Sequence, residues 1–467
     1  MMHNSPHHME VPMKFTTEFI QQVRELFVAE LEVQQRQQPA AKISGIETML
    51  RQMLVHIGAE CLGAYLTAQD APYPVPTVPC SCGGQASYQY CREGHLISVV
   101  NRVTYRRAYY LCPQCHSGKY PLDERLGLEP GKVTAGVASL LAIAGVETAF
   151  EKASQLVERF LLVPVSENTV RQETQCFGQF QAMREEVWIA ESQDAEHYRE
   201  RHRTAQDQPR RLYGSIDGAH VPLAEEWREM KTCCWYQTER VAKHRLPASR
   251  RDRVGADGAL RAKEIRYYSD MLPAEEFSEL VLATGCQHGA DLAEELVFVA
   301  DGAAWIWKLV SGYYPEAVQI VDWYHAEQYL EAVAERAFGD NRQVHDLWLE
   351  EVKGELWEGR IDAVISACQQ WQDSAKAGEA AQKAISYYTN NRKRMDYARF
   401  RETGYMIGSG TVESGCKQIV THRLKRSGAR WTEEGVRTTA KARAAWLSDQ
   451  WDHLSAMRGQ PQVSNKL

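Results

Sequence analysis

Between residues 12 and 70, apolar positions return every three to four residues, in "TTEFIQQVRELFVAELEVQQRQ" and again in "GIETMLRQMLVHIGAECLGAYLTAQ". That is the period of amphipathic helices, so residues 1–72 read as a helical region suited to packing or oligomerisation. "DAPYPVPTVP" then places four prolines in ten residues and cannot continue a helix. Within 73–128 the period shortens to two in "HLISVVNRVTYRRAYYL", which predicts strands. Helical spacing returns over 129–205. A first apolar helix is followed by a second over Thr148–Leu161, a break at Pro164, and a third helix with Ser166 as its N-cap.

From Arg210 the pattern changes again. "RLYGSIDGAHVPL", "KTCCWYQTERV" and "AKEIRYYSDM" read as three successive strands, and "PAEEFSELVLATGC" as a helix. "EELVFVADGAAWIWKLV" and "AVQIVDWYHAEQYLEAVAERA" each run from strand into helix. Three strands followed by alternating strand and helix is the order of an RNase H-like domain. It would occupy 206–337 and 403–467, interrupted by the charged all-helical stretch 338–402. The fold class expected is therefore multidomain, α+β and α/β together.

Composition sharpens this picture in two places. The longest apolar run, "VASLLAIAGV", is about half the roughly 18 residues that span a bilayer, and "MMHNSPHHMEVPMKF" lacks a signal pattern. A soluble, cytoplasmic chain is expected. The net charge of −7 does not exclude nucleic acid, because Lys417 to Arg443 holds eight Lys or Arg against two Glu.

Twelve cysteines without secretory features point to metal binding wherever they pair. Cys80 and Cys82 form one pair and Cys112 and Cys115 another, on either side of the predicted hairpin. Four thiolates so placed suit a tetrahedral zinc with no open position, hence a structural one, in a zinc ribbon. Gly83, Gly84 and Gly118 suit the turns beside the sulfurs, and Cys91 lies in the hairpin, outside the set.

The three helices of 129–205 have the rhythm of a helix-turn-helix, in which Asn168, Thr169, Arg171 and Gln172 would face bases or phosphates; a plain helical hairpin gives the same pattern. In the RNase H-like order the first strand carries an acid at its centre, the fourth carries one at its end, and a later helix carries a third. Those positions are Asp217, Asp301 and Glu413. Carboxylates are the hard ligands that two magnesium ions need for in-line phosphoryl displacement. Each acid precedes a small residue (Gly218, Gly302, Ser414), which leaves room for a phosphate backbone.

"SIDGAHV", "FVADGAAWIW", "IVDWYHAEQYL" and "GSGTVESGCKQIVTHRLKRSGARWT" resemble the DDE transposases of bacterial insertion sequences, specifically the ISKra type. "CPQCHSGKYPLDERLGL" resembles the end of the zinc ribbon that those proteins carry upstream. The resemblance runs from about residue 80 to 450. It implies Asp217, Asp301 and Glu413 as the catalytic triad, with Mg2+ or Mn2+ as cofactor and structural Zn2+. Asp322 and His325 resemble the Asp-x-x-His signature of several such groups, and Asp322 is the rival to Asp301 as second ligand. The partners implied are the terminal inverted repeats, target DNA and further copies of the chain, a homodimer or larger, in the nucleoid. Lys417, Arg423, Lys425, Arg426 and Arg430 would contact phosphates, with Trp431 stacking; Trp348, Trp357 and Trp371 are either stacking or core residues. A non-catalytic DNA-binding protein and a plain RNase H-like nuclease are the competing readings.

Overall fold

A computed structural model describes residues 17–37, 42–70, 75–129, 131–204, 209–245 and 258–458. The chain is mixed α and β with two sheets, and it divides into two compact units. One comprises Met1–Ala144, Phe150–Val170 and Ser455–Leu467; the other comprises Gly145–Ala149 and Arg171–Leu454.

In the first unit, α1 (Thr17–Gln37) and α2 (Ile43–Gln69) follow the apolar periodicity. α2 buries Met53, Ile57, Ala59, Gly63 and Leu66. The hairpin strands β2 (Gln85–Ser98) and β3 (Asn101–Leu111) are antiparallel, and short β1 (Thr77–Pro79) and β4 (Gly118–Lys119) complete the order β1-β2-β3-β4. α2 lies so close to β3 that a Cβ on Gly63 would stand 2.3 Å from the Thr104 carbonyl oxygen. Only glycine admits that approach. Ala59 and Leu66 share a core with Leu96, Val103, Tyr105 and Leu122, the last on α3 (Pro121–Leu126). A second cluster of Cys80, Ala86, Ala108, Tyr110 and Cys112 fills the opposite end of the hairpin.

Helices α4 (Ala135–Glu147), α5 (Phe150–Leu161) and α6 (Glu167–Gln193) occupy the expected three-helix region, followed by α7 (Ala195–Thr204). Thr148, expected to open the second helix, lies outside it, and that helix starts at Phe150. Ser166 caps α6 as expected, its Oγ accepting the Thr169 amide at 3.1 Å. α6 runs 27 residues.

The second unit is built on a five-stranded sheet of β5 (Arg211–Pro222), β6 (Trp227–Val241), β7 (Ala259–Asp270), β8 (Glu295–Ala300) and β9 (Val318–Val321). Their order is β7-β6-β5-β8-β9. β5, β6 and β7 are antiparallel, whereas β8 and β9 run parallel to β5. The central strands are buried at consecutive positions, 212–216 in β5, 230–236 in β6 and 297–300 in β8, so both their faces are covered. β6 starts at Trp227 rather than Lys231, because Pro222 pairs with Trp227 and the Leu223 amide donates to Glu226, closing a tight hairpin.

α8 (Ala274–Gln287) precedes β8; α9 (Ala304–Tyr313) and α10 (Trp323–Phe338) follow β8 and β9. The predicted helical stretch contains α11 (Arg342–Trp357), α12 (Ile361–Gln369), α13 (Gly378–Asn391) and α14 (Tyr397–Glu402). α15 (Gly410–Cys416) passes into a π-helical segment, Lys417–Leu424, before α16 (Glu433–Leu447) and α17 (Trp451–Arg458). On α16, Lys441 is buried between Glu185 and Asp270, and Arg437 pairs with Asp270 at 2.6 Å. Among the described residues, no helix is long and apolar enough to cross a membrane.

Candidate metal and nucleic-acid sites

The four cysteine sulfurs of Cys80, Cys82, Cys112 and Cys115 all lie within 4.8 Å of one another. Cys80 Sγ is 3.6 Å from Cys115 Sγ, and Cys82 Sγ is 3.6 Å from Cys112 Sγ. A zinc–sulfur bond of about 2.3 Å gives a tetrahedral edge of about 3.8 Å, so the donors fit that ion.

The backbone explains how the sulfurs converge. The Cys80 amide donates to the Gly84 carbonyl at 2.9 Å and the Cys112 amide to the Ser117 carbonyl at 3.0 Å, so each pair closes a tight loop. Gly83 and His116 turn these loops with positive φ, at 86° and 53°. The Cys82 amide and the Ser117 hydroxyl draw the Cys80 thiol down to about 6. Cys82 rises to about 12 despite the Gly84 amide, because its proton is shared with the surrounding sulfurs. Cys91 stays outside the cluster, its sulfur 3.6 Å from the Tyr88 hydroxyl.

The carboxylates are assembled differently. Asp217 lies on β5 just beyond Ile216, which pairs with Ala300 of β8. Asp301 follows Ala300 at the end of β8, so it stands beside Asp217 at the centre of β5, on adjacent parallel strands about 4.8 Å apart. α15 packs on β5 and β6. It brings Glu413 to them, and Cys416, three residues on, donates its thiol to Asp217. Burial is the first cause that raises the Asp217 carboxyl above its usual range; Gly218 and Cys416 lower it, and Asp301 and Glu413 raise it again. Acids that repel in a half-buried space fit a bound cation.

Asp301 is held by its neighbours. Its Oδ1 accepts the Ala303 amide at 2.9 Å, and its carbonyl accepts the Tyr387 hydroxyl at 2.7 Å. Gly302 has φ 98°, and a Cβ there would lie 2.7 Å from the Tyr387 ring. Tyr387 belongs to α13, so the helical stretch reaches the acid itself. A cleft of about 550 Å³ opens beside Asp301, lined also by His325, Tyr329, Arg336, Lys376 and Lys383.

Among the described residues it is Asp322, His325 and Glu413 that bring ligand atoms within 4.8 Å of one another, a group that Asp217 and Asp301 do not join. Asp322 is fully buried, however, and both its oxygens are occupied. Oδ1 accepts the His325 amide at 2.7 Å, capping α10, and Oδ2 accepts the Ser409 amide. Ser409 Oγ in turn donates to Glu413 Oε1 at 3.1 Å. Asp322 thus fixes the third acid through Ser409, whereas Asp301 gives only Oδ1 to its turn. His325 Nδ1 is buried without a hydrogen-bond partner among the described residues, 3.4 Å from Asp322 Oδ1. Neither Ser409 nor Tyr387 carries a sequence signal of its role, since each acts only through tertiary contact.

The basic segment divides in two. Lys417 is exposed, 4.0 Å from Glu413, while Val412, Cys416 and Ile419 are buried as the inward stripe. Arg426 and Arg430 are exposed and Lys425 half-exposed. Arg426 also donates to the Thr148 hydroxyl at 3.2 Å.

Arg423 and Trp431 do not fit the expectation. Arg423 is 2% exposed, its Nε donates to the Gly145 carbonyl at 2.7 Å, and burial lowers its guanidinium to about 9. Trp431 is 8% exposed, lies 5.2 Å from Arg423 and donates to the Leu424 carbonyl. Both are framework beneath the basic segment, unable to meet a phosphate or a base. Trp348 and Trp371 pack on Phe338, and Trp357 packs between Trp323 and Arg401. On α6, Asn168, Arg171 and Gln172 are exposed and Thr169 is half-buried, its hydroxyl on Ser166.

A family model matches residues 85–453, that of the uncharacterised protein family UPF0236. No curated protein matches the chain.

Proposed function

The chain belongs to the uncharacterised protein family UPF0236, and from that premise we propose that it is a DNA transposase of the DDE type. Its second unit would be an RNase H-like catalytic domain, its four-cysteine hairpin a zinc ribbon, and α4 to α6 a helix-turn-helix region that addresses terminal repeats. The observation that carries this reading is the placement of Asp217 and Asp301 on adjacent strands of a sheet of order β7-β6-β5-β8-β9, with α15 packing the helix of Glu413 on β5 and β6.

Asp217, Asp301 and Glu413 would hold magnesium, which when bound supplies charge neutralisation at a phosphoryl group under in-line displacement. Asp322 and Ser409 orient Glu413, and Tyr387 fixes the turn that presents Asp301. Lys417, Lys425 and Arg430 would neutralise the phosphates that flank the reacting one. Hydrolysis of one phosphodiester frees a 3′ hydroxyl, which then displaces at a phosphodiester of target DNA. Apart from the proton that passes from attacking to leaving oxygen, only phosphorus–oxygen bonds break and form, so positioning and electrostatics carry the reaction. Joining needs paired ends, and a homodimer or larger complex on DNA would provide them.

Asp301→Asn tests the reading. Mg2+- or Mn2+-dependent nicking of DNA should fall on the order of 10³-fold or more, with thermal unfolding unchanged. Nicking at the wild-type rate would overturn the assignment.

A further inference from the structure

We propose that Trp227, on the β5–β6 hairpin, is a nucleobase-stacking residue that works together with Lys425. The inference rests on the DNA reading above and adds to it the class of group bound: an unpaired base of a DNA strand. All twelve tryptophans of the chain lie in described residues. Trp227 is 62% exposed, against 37% for Trp357, and the rest are half-buried or buried. Trp357 is already engaged by Trp323 at 4.8 Å and by Arg401 at 4.0 Å. Trp227 has no such ring partner among the described residues, and the Lys425 ammonium stands 6.0 Å from its ring centroid.

The hairpin that carries Trp227 is rigidly placed. Pro222 pairs with Trp227, the Ala224 amide donates to the Trp431 carbonyl at 3.2 Å, and Arg228 pairs with Glu433 at 2.5 Å. Trp431 is itself buried beneath the segment that bears Lys425 and Arg430. The stacking role expected of Trp431 therefore passes to the neighbouring tryptophan that its carbonyl helps to hold. An indole face beside a row of cations matches a strand of unpaired DNA, whose bases stack while its phosphates meet the lysine and arginine. Register puts Trp227 about 17 Å along the strand from Asp217, clear of the carboxylates.

The test uses the full-length chain without divalent cation and two fluorescent probes, oligo-dT and an abasic strand of equal length and charge. The wild-type chain should prefer oligo-dT by about ten-fold or more. Trp227→Ala should remove most of that preference, and Trp227→Phe should keep most of it. Lys425→Gln should weaken both probes alike. A Trp227→Ala chain that keeps the full preference would overturn the inference while leaving the DNA reading standing. A wild-type chain that binds neither probe would overturn both.

Discussion

The two candidate metal centres are built on opposite principles. The cysteine site draws its ligands from two short loops at one end of a hairpin, and the strands between them return the chain automatically. Its four soft sulfurs leave no position for substrate. The carboxylate site gathers hard oxygens from the centre of a strand, the end of another and a distant helix, and each must be delivered by the fold. Its acids act on one another: Asp217 is raised first by burial and then by Asp301 and Glu413. A closed, locally encoded site holds structure together, and an open site that the fold must assemble is suited to chemistry.

Removing the metal is the strongest way to break that comparison. Cys112→Ser, or chelation of the wild-type chain, should strip about one zinc per chain and cost up to about 10 kcal/mol of local stability. Hydrogen exchange should then show lost protection at Ala86, Ala108 and Tyr110, which share the cluster of Cys80 and Cys112. Val103 should stay protected, because Ala59 and Leu66 of α2 hold that end. The amides of β5 and β8 should not change. Uniform loss along the hairpin, or a protein that never contained zinc, would contradict the local picture.

A second contrast lies within the five-stranded sheet, between acids that face acids and acids held by cations. Burial raises Asp270, but Lys441 and Arg437 outweigh it and hold the carboxyl below its usual range. A depressed carboxyl contributes stability above the unfolded value near 4 and loses it as pH falls through the folded one. Lys441→Met should cost roughly 3–5 kcal/mol at pH 7, since it leaves Glu185 and Asp270 buried without their shared cation. The deficit should narrow in acid, where protonation relieves both carboxylates. Urea unfolding at pH 7 and pH 4.5 measures it, and a deficit independent of pH would show that lost packing, not charge, sets the cost.

The same contrast explains what could be read from the sequence. The cysteine set was legible because its ligand spacing is local, and the strand order because apolar runs mark it. Asp217, Asp301 and Glu413 were named by their places in that order and by resemblance. Burial was not legible where it depends on a remote element. Arg423 stands among exposed cations in sequence, yet the Gly145 carbonyl that receives it belongs to the end of α4. Ser409 looks like loop sequence, yet it joins Asp322 to Glu413. The α2–β3 interface follows from Gly63, whose significance appears only once Thr104 is beside it.

The smallest effects give the finest separation, between cations that support the basic segment and cations that it displays. Arg430 is exposed with no resolved ion pair among the described residues, so Arg430→Gln should change stability by less than about 0.5 kcal/mol. If it meets a phosphate, its loss should lower the slope of log affinity against log salt by about one. Arg423→Gln should do the reverse. It loses a buried hydrogen bond to Gly145 and the contact with Trp431, at a cost of about 1–3 kcal/mol, and should leave the salt slope unchanged. Affinity for a DNA oligonucleotide across a salt series, set beside urea unfolding of the same variants, decides it. Equal slope changes for Arg423 and Arg430 would mean that burial in the free chain does not predict which cations reach DNA.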